Sequence, residues 1–139
     1  MPPIVSILLP TDFSIEADAA FAHGLRLAVA LNAKLDIFHA EPRNDQADWR
    51  WAPNVAETLV RWGVLRRGAT EADVAALGID ARRTQIVGQA AETAILNEMA
   101  ASRADLIVMA SHGRSGLRRW LEPSVIAPVL RHAPVPVLV

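Results

Sequence analysis

Between Asp105 and Arg131 the chain passes through a short apolar run, a glycine-containing loop and a stretch with apolar residues at helical spacing. Asp105-Leu106-Ile107-Val108-Met109 has the length and composition of a buried parallel strand. A parallel strand needs a crossover connection, and its sheet needs cover on both faces. Ile4 to Leu9, Lys34 to Ala40, Ile79 to Val87 and Val135 to Val139 read as four further strands, with helical patterns between the segments. This alternation predicts an α/β fold: an open parallel five-stranded sheet with right-handed crossovers and helices on both faces, Rossmann-like in architecture.

The helical segments differ in quality. Thr11, Asp12 and Ser14 supply capping chemistry, and Ala17, Phe21, Gly24, Ala28 and Leu31 share one helical face. Val55, Leu59, Trp62, Leu65, Ala69, Ala72 and Ala76 predict one long helix from Val55 to Leu77, bent or broken where Gly63 and Gly68 each cost about 1 kcal/mol against alanine. Gly88 turns the chain into a helix with Ala91, Ala94, Ile95 and Met99 inward. Ile79 to Val87 carries Arg82 and Arg83 and suits an edge. Pro136 removes a ladder donor and sends the last strand to the other edge. An apolar edge strand needs cover, which predicts a homodimer through Val135 to Val139.

At 139 residues the chain is expected to form one domain, 1–139, with a core that needs no staples. A formal net charge of −1 gives no general attraction to nucleic acid or to an anionic membrane. The absence of cysteine excludes disulfides and thiol chemistry. No signal-peptide pattern and no membrane-length apolar window is present, so the expected location is the cytoplasm.

Ligands of open α/β sheets bind beyond the carboxyl ends of the strands. Three candidate segments meet there. Pro10-Thr11-Asp12-Phe13-Ser14 follows the first strand, and Asp12 suits either a ligand amine or hydroxyl or the cap of the helix. His39 and Ala40 end the second strand; His39 reads as a hydrogen-bonded spectator, and no metal site is assigned. The loop after Met109 holds His112, Gly113, Arg114, Arg118 and Arg119 with no acid before Glu122, a composition suited to an anion. Glu41 to Pro53 is a polar loop whose Trp49 and Trp51 either cap a ligand or fold back onto the domain.

Two prolines disturb the anion site. Pro123 has no N–H to donate. Pro128 lies four residues after Ser124, so a helix begun at Ser124 loses a bond and gains a clash, at about 3 kcal/mol. A helix starting near Pro128 avoids that cost.

The motifs Ile7-Leu8-Leu9-Pro10-Thr11-Asp12-Phe13-Ser14, Gly88-Gln89-Ala90-Ala91-Glu92 and Asp105 to Gly116, with the closing Val129 to Val139, occur in this order. In them the chain resembles the universal stress protein family over its whole length. That resemblance implies strand order 3-2-1-4-5, an adenine nucleotide alpha hydrolase-like fold, dimer formation through the last strand and a stress-linked cytoplasmic role. The family's nucleotide-binding branch carries G-x-x-G-x9-G-[ST] after strand four. On this chain those positions are Ala110, Gly113, Pro123 and Ser124. The implied nucleotide site takes Pro10, Thr11 and Asp12 toward adenine or ribose, Ala40 beside the base, and Ala110, His112, Gly113, Arg114, Ser124 and Val125 around the phosphates. Its implied ligand is ATP or AMP with magnesium. The departures at Ala110 and Pro123 predict weakened or lost ATP binding and a module acting through an unknown protein partner. An adenine nucleotide sensor is the alternative. A hydrolase using His112 finds neither a paired nucleophile nor a carboxylate cluster in its favour.

Overall fold

The computed structural model describes residues 3–41, 48–110 and 123–139, without the side chains of 123 and 124. Within them lie β1 (Ser6–Pro10), α1 (Ile15–Leu31), β2 (Lys34–Glu41), a 3-10 turn (Trp49–Trp51), α2 (Val55–Arg61) and α3 (Glu71–Ala76). β3 (Ala81–Val87), α4 (Ala91–Ser102), β4 (Leu106–Val108), α5 (Pro123–His132) and β5 (Val137–Leu138) complete the set. The strands form one parallel sheet in the order β3-β2-β1-β4-β5, as the resemblance implied.

Right-handed crossovers put α1, α2 and α3 on one face, and α4 and α5 on the other. β1 is central and wholly buried, which is why its sequence is continuously apolar rather than alternating. Leu9 and Leu35 face α1, where a Cβ on Gly24 would stand 3.3 Å from a Leu9 methyl, so glycine permits this close helix–sheet approach. Asp36 and Phe38, one step out of phase on β2, face the α4 side. Asp105 ties the amino ends of the inner strands together, its Oδ2 accepting from Val5 N–H at 3.0 Å and Ser6 N–H at 3.1 Å.

Several boundaries differ from the sequence reading. The Val55 to Leu77 segment, expected to bend or break at its glycines, is two short helices, because Gly63 at φ 78° and Gly68 at φ 83° take left-handed conformations that a continuous helix excludes. β3 begins at Ala81 rather than Ile79; Gly78 at φ 86° reverses the chain and Ile79 drops into the core. α5 begins at Pro123, not near Pro128, and carries Pro128 inside it. The first helical position accommodates Pro123 without loss, because its N–H would have no intrahelical partner. β5 is shortened to two residues, with the Ile107 and Met109 N–H groups donating to the Pro136 and Leu138 carbonyls.

Candidate functional site

The pairing of β1 with β2 continues one residue past β1, where Thr11 N–H donates to the Phe38 carbonyl at 2.8 Å. Beyond that bond the backbone is held by its own side chains. Thr11 Oγ1 accepts from Phe13 N–H at 3.0 Å, Asp12 Oδ1 from Ser14 N–H at 3.0 Å, and Ser14 Oγ from Ala17 N–H at 3.2 Å. Ser14 is therefore the cap of α1, and Asp12 shapes the turn one level above it. Asp12 is fully buried and Thr11 nearly so. The carboxyl of Asp18, on the first turns of α1, is raised above its ordinary range by burial and then by the charge of Asp12.

Phe13 sits at φ 63°, a conformation that costs a bulky L-residue about 1–2 kcal/mol. Its ring stacks on His39, with centroids 4.2 Å apart, and meets the edge of Trp49 at 5.3 Å. Trp49 Nε1 donates to Gln85 Oε1 at 2.8 Å, and the Arg83 guanidinium lies 5.5 Å from the Trp49 ring. His39 Nδ1 lies 2.8 Å from the Thr11 carbonyl and so donates to it, while Nε2 is 3.1 Å from Glu41 Oε2. The expected role of His39 as a hydrogen-bonded residue at the strand end is what this geometry gives. Trp49 folds back onto the domain, whereas Trp51 is 66% exposed.

Pro10, Thr11, Asp12 and Ala40 thus come together at the carboxyl ends of β1 and β2, all of them buried. Ala110 follows β4 on the same edge and, with Met109, Glu16, His23, Leu138 and Val139, lines a cavity of about 370 Å³. A larger cavity of about 850 Å³ lies between α2, α3 and the start of β3, away from these strand ends. His112, Gly113 and Arg114 lie outside the described residues. Ser124 is in the first turn of α5, as is Val125, whose side chain is buried and leaves only backbone to offer a ligand. Arg83 and Gln85 were not expected at this edge, nor were the contacts of Phe13 and Glu41 with His39. Strand register identifies Gln85, the partner of His39 on β3, but nothing local in the sequence announces the left-handed Phe13.

Among the described residues no group of three or more histidine or carboxylate side chains converges on a metal position. No described helix is long and apolar enough to cross a membrane.

The same fold recurs in solved structures. A universal stress protein from Lactobacillus plantarum superimposes with a TM-score of 0.60 at 20% identity, over 99% of this chain and 98% of its own. A universal stress protein in complex with cAMP gives 0.61 at 22% identity, over 99% and 97%. One from Archaeoglobus fulgidus in complex with dAMP gives 0.58 at 19% identity, over 99% and 98%. No curated protein matches the chain significantly. A family model for the universal stress protein family matches residues 5–139, and the chain belongs to that family.

Proposed function

We propose that this chain is a homodimeric universal stress protein that acts in the cytoplasm through a protein partner, with its hold on ATP weakened or lost. The observation that carries this reading is the start of α5 at Pro123. The family's phosphate-side glycine falls on this residue. The first N–H of a helix is among the donors a phosphate uses, and proline has none. Ser124 and Val125 come next in line, and Val125, its side chain in the core, offers only its backbone N–H.

The dimer reading is supported by the edge position of β5, where Leu138 is 46% and Val139 53% exposed. β5 spends its inner side on β4. Among the described residues no strand pairs with its other side, which is available to a second copy, and Leu138→Arg is expected to yield monomers in sedimentation.

A second reading is favoured by the two relatives crystallised with cAMP and dAMP. The β1 and β2 ends, with Asp12 and Ala40, are intact, so an adenine mononucleotide is the ligand class that would survive loss of the polyphosphate grip. We assign no magnesium ion to it and no enzymatic role to the chain.

Calorimetry with ATP, ADP and AMP on nucleotide-free protein separates the readings. No heat at millimolar ligand supports the partner-only module. Micromolar AMP without ATP supports the mononucleotide site. Micromolar ATP binding that Asp12→Ala abolishes overturns the proposal. Pro123→Gly with Pro128→Lys is expected to gain ATP affinity, and no gain would remove the prolines as the cause.

A further inference from the structure

Asp36 is an acid in an otherwise apolar place. It lies on β2, inside the sheet, and is 3% exposed. Among the described residues neither of its carboxylate oxygens meets a hydrogen-bond donor. Its neighbours in register are Leu8 of β1 and Arg82 of β3. Arg82 stands on the same face but is exposed at the sheet edge, and makes no ion pair with Asp36 within 4.0 Å. On the α4 side Glu98, half-buried, shares the inward helical face with Ala91, Ala94 and Ile95, and α4 packs on β2. Ser102, one turn further along α4, brings a buried hydroxyl without a partner among the described residues and no charge.

A lone buried carboxylate costs several kcal/mol unless a donor reaches it. Two ionised carboxylates are both acceptors and cannot bond, so Asp36 gains its donor only when Glu98 carries a proton. We propose that Glu98, when protonated, donates to Asp36 across the β2–α4 interface, and that this pair makes the seating of α4 on the sheet sensitive to pH. The Glu98 carboxyl is pushed up to about 7 by the hydrogen bond that its protonated form makes to Asp36, then by burial and the charge of Asp36, with Arg82 opposing. The pair sits toward the amino end of β2 and seven residues past the start of α4. It rests on no assumption about the ligand.

The sign follows from linkage. Between the ordinary value of 4.5 and about 7 the folded chain keeps a proton that the unfolded chain gives up. Rising pH therefore weakens folding through this window, and the loss is complete above it.

The test is a carboxyl-carbon NMR titration of the glutamates, with urea unfolding at pH 6 and pH 8. In the wild type one glutamate titrates near neutrality, and the folding constant falls by up to about tenfold, less as solvent reaches Glu98. In Glu98→Gln the amide donates permanently, so this share of the pH slope disappears; histidines titrate in both proteins and cancel. Asp36→Asn returns the Glu98 titration toward its ordinary range. A wild type with no glutamate titrating above pH 6, or equal slopes in wild type and Glu98→Gln, overturns the proposal. The Glu98→Gln comparison stands even if Asp36→Asn fails to fold.

Discussion

Pro128→Ala tests the placement of α5 most directly. α5 runs from Pro123 to His132, so residue 128 would donate one of the early intrahelical bonds, to the Ser124 carbonyl. Proline removes that bond and presses its ring on the same carbonyl. A full interior proline costs about 3 kcal/mol against alanine. At this position the carbonyl lies in the first turn and can tilt outward, which reduces the clash. Proline also restricts the unfolded chain, which returns roughly 0.4–1 kcal/mol. A net gain of about 1–2 kcal/mol is expected for alanine, or roughly 3–7 °C in Tm for a chain of this size. Pro128→Gly restores the same N–H with poorer helix propensity and should fall about 1 kcal/mol short of alanine. Urea unfolding with a constant m-value is the measurement. If α5 instead began near Pro128, the proline would be a favourable first residue. Alanine would then leave stability unchanged or lower it, and the present account of the helix start would be wrong.

The remaining predictions concern the strand ends. Phe13→Gly is expected to be more stable than Phe13→Ala by about 1 kcal/mol, because both lose the ring but only glycine tolerates φ 63° freely; the reverse order in thermal melts would contradict the turn geometry. Trp49→Phe keeps an aromatic edge against Phe13 but loses the bond to Gln85, at a cost of about 1 kcal/mol. Its loss should also remove one half-buried contribution to the tryptophan fluorescence and raise the share of exposed Trp51; an unchanged emission maximum and quenching would speak against a packed Trp49. Asp105→Ala strips the acceptor from Val5 and Ser6 and should cost roughly 1–3 kcal/mol in urea unfolding, whereas Asp105→Asn should recover part of it.

The fold was legible because its strongest signals are local. Continuous apolar runs at Ile7–Leu9 and Leu106–Val108 admit little except strands buried on both faces, and helical spacing between strands forces parallel crossovers. Edge positions were legible for the same kind of reason, through Arg82 and Arg83 on β3 and Pro136 before β5. The failures have a common cause. A glycine inside a helical pattern is compatible with a helix or with its end, and only the tertiary path chose left-handed conformations for Gly63 and Gly68. A proline likewise fits either the first turn or the interior at a cost, and packing of Val125, Ile126 and Val129 on the sheet outweighed the penalty at Pro128.

At the strand ends, local and non-local information divide along one line. Thr11, Asp12 and Ser14 bond to N–H groups two or three residues away, so their turn can be read from the sequence. The contacts that fix Phe13 reach across to His39 and Trp49, and from Trp49 to Gln85. Stacking of about 0.5–1.5 kcal/mol per aromatic pair is of the size needed to hold Phe13 in its costly conformation. The strained residue is thus stabilised by partners from β2 and from the segment after it. The turn that shapes Asp12 depends through Phe13 on Trp49, and Trp51 stands exposed two residues further on.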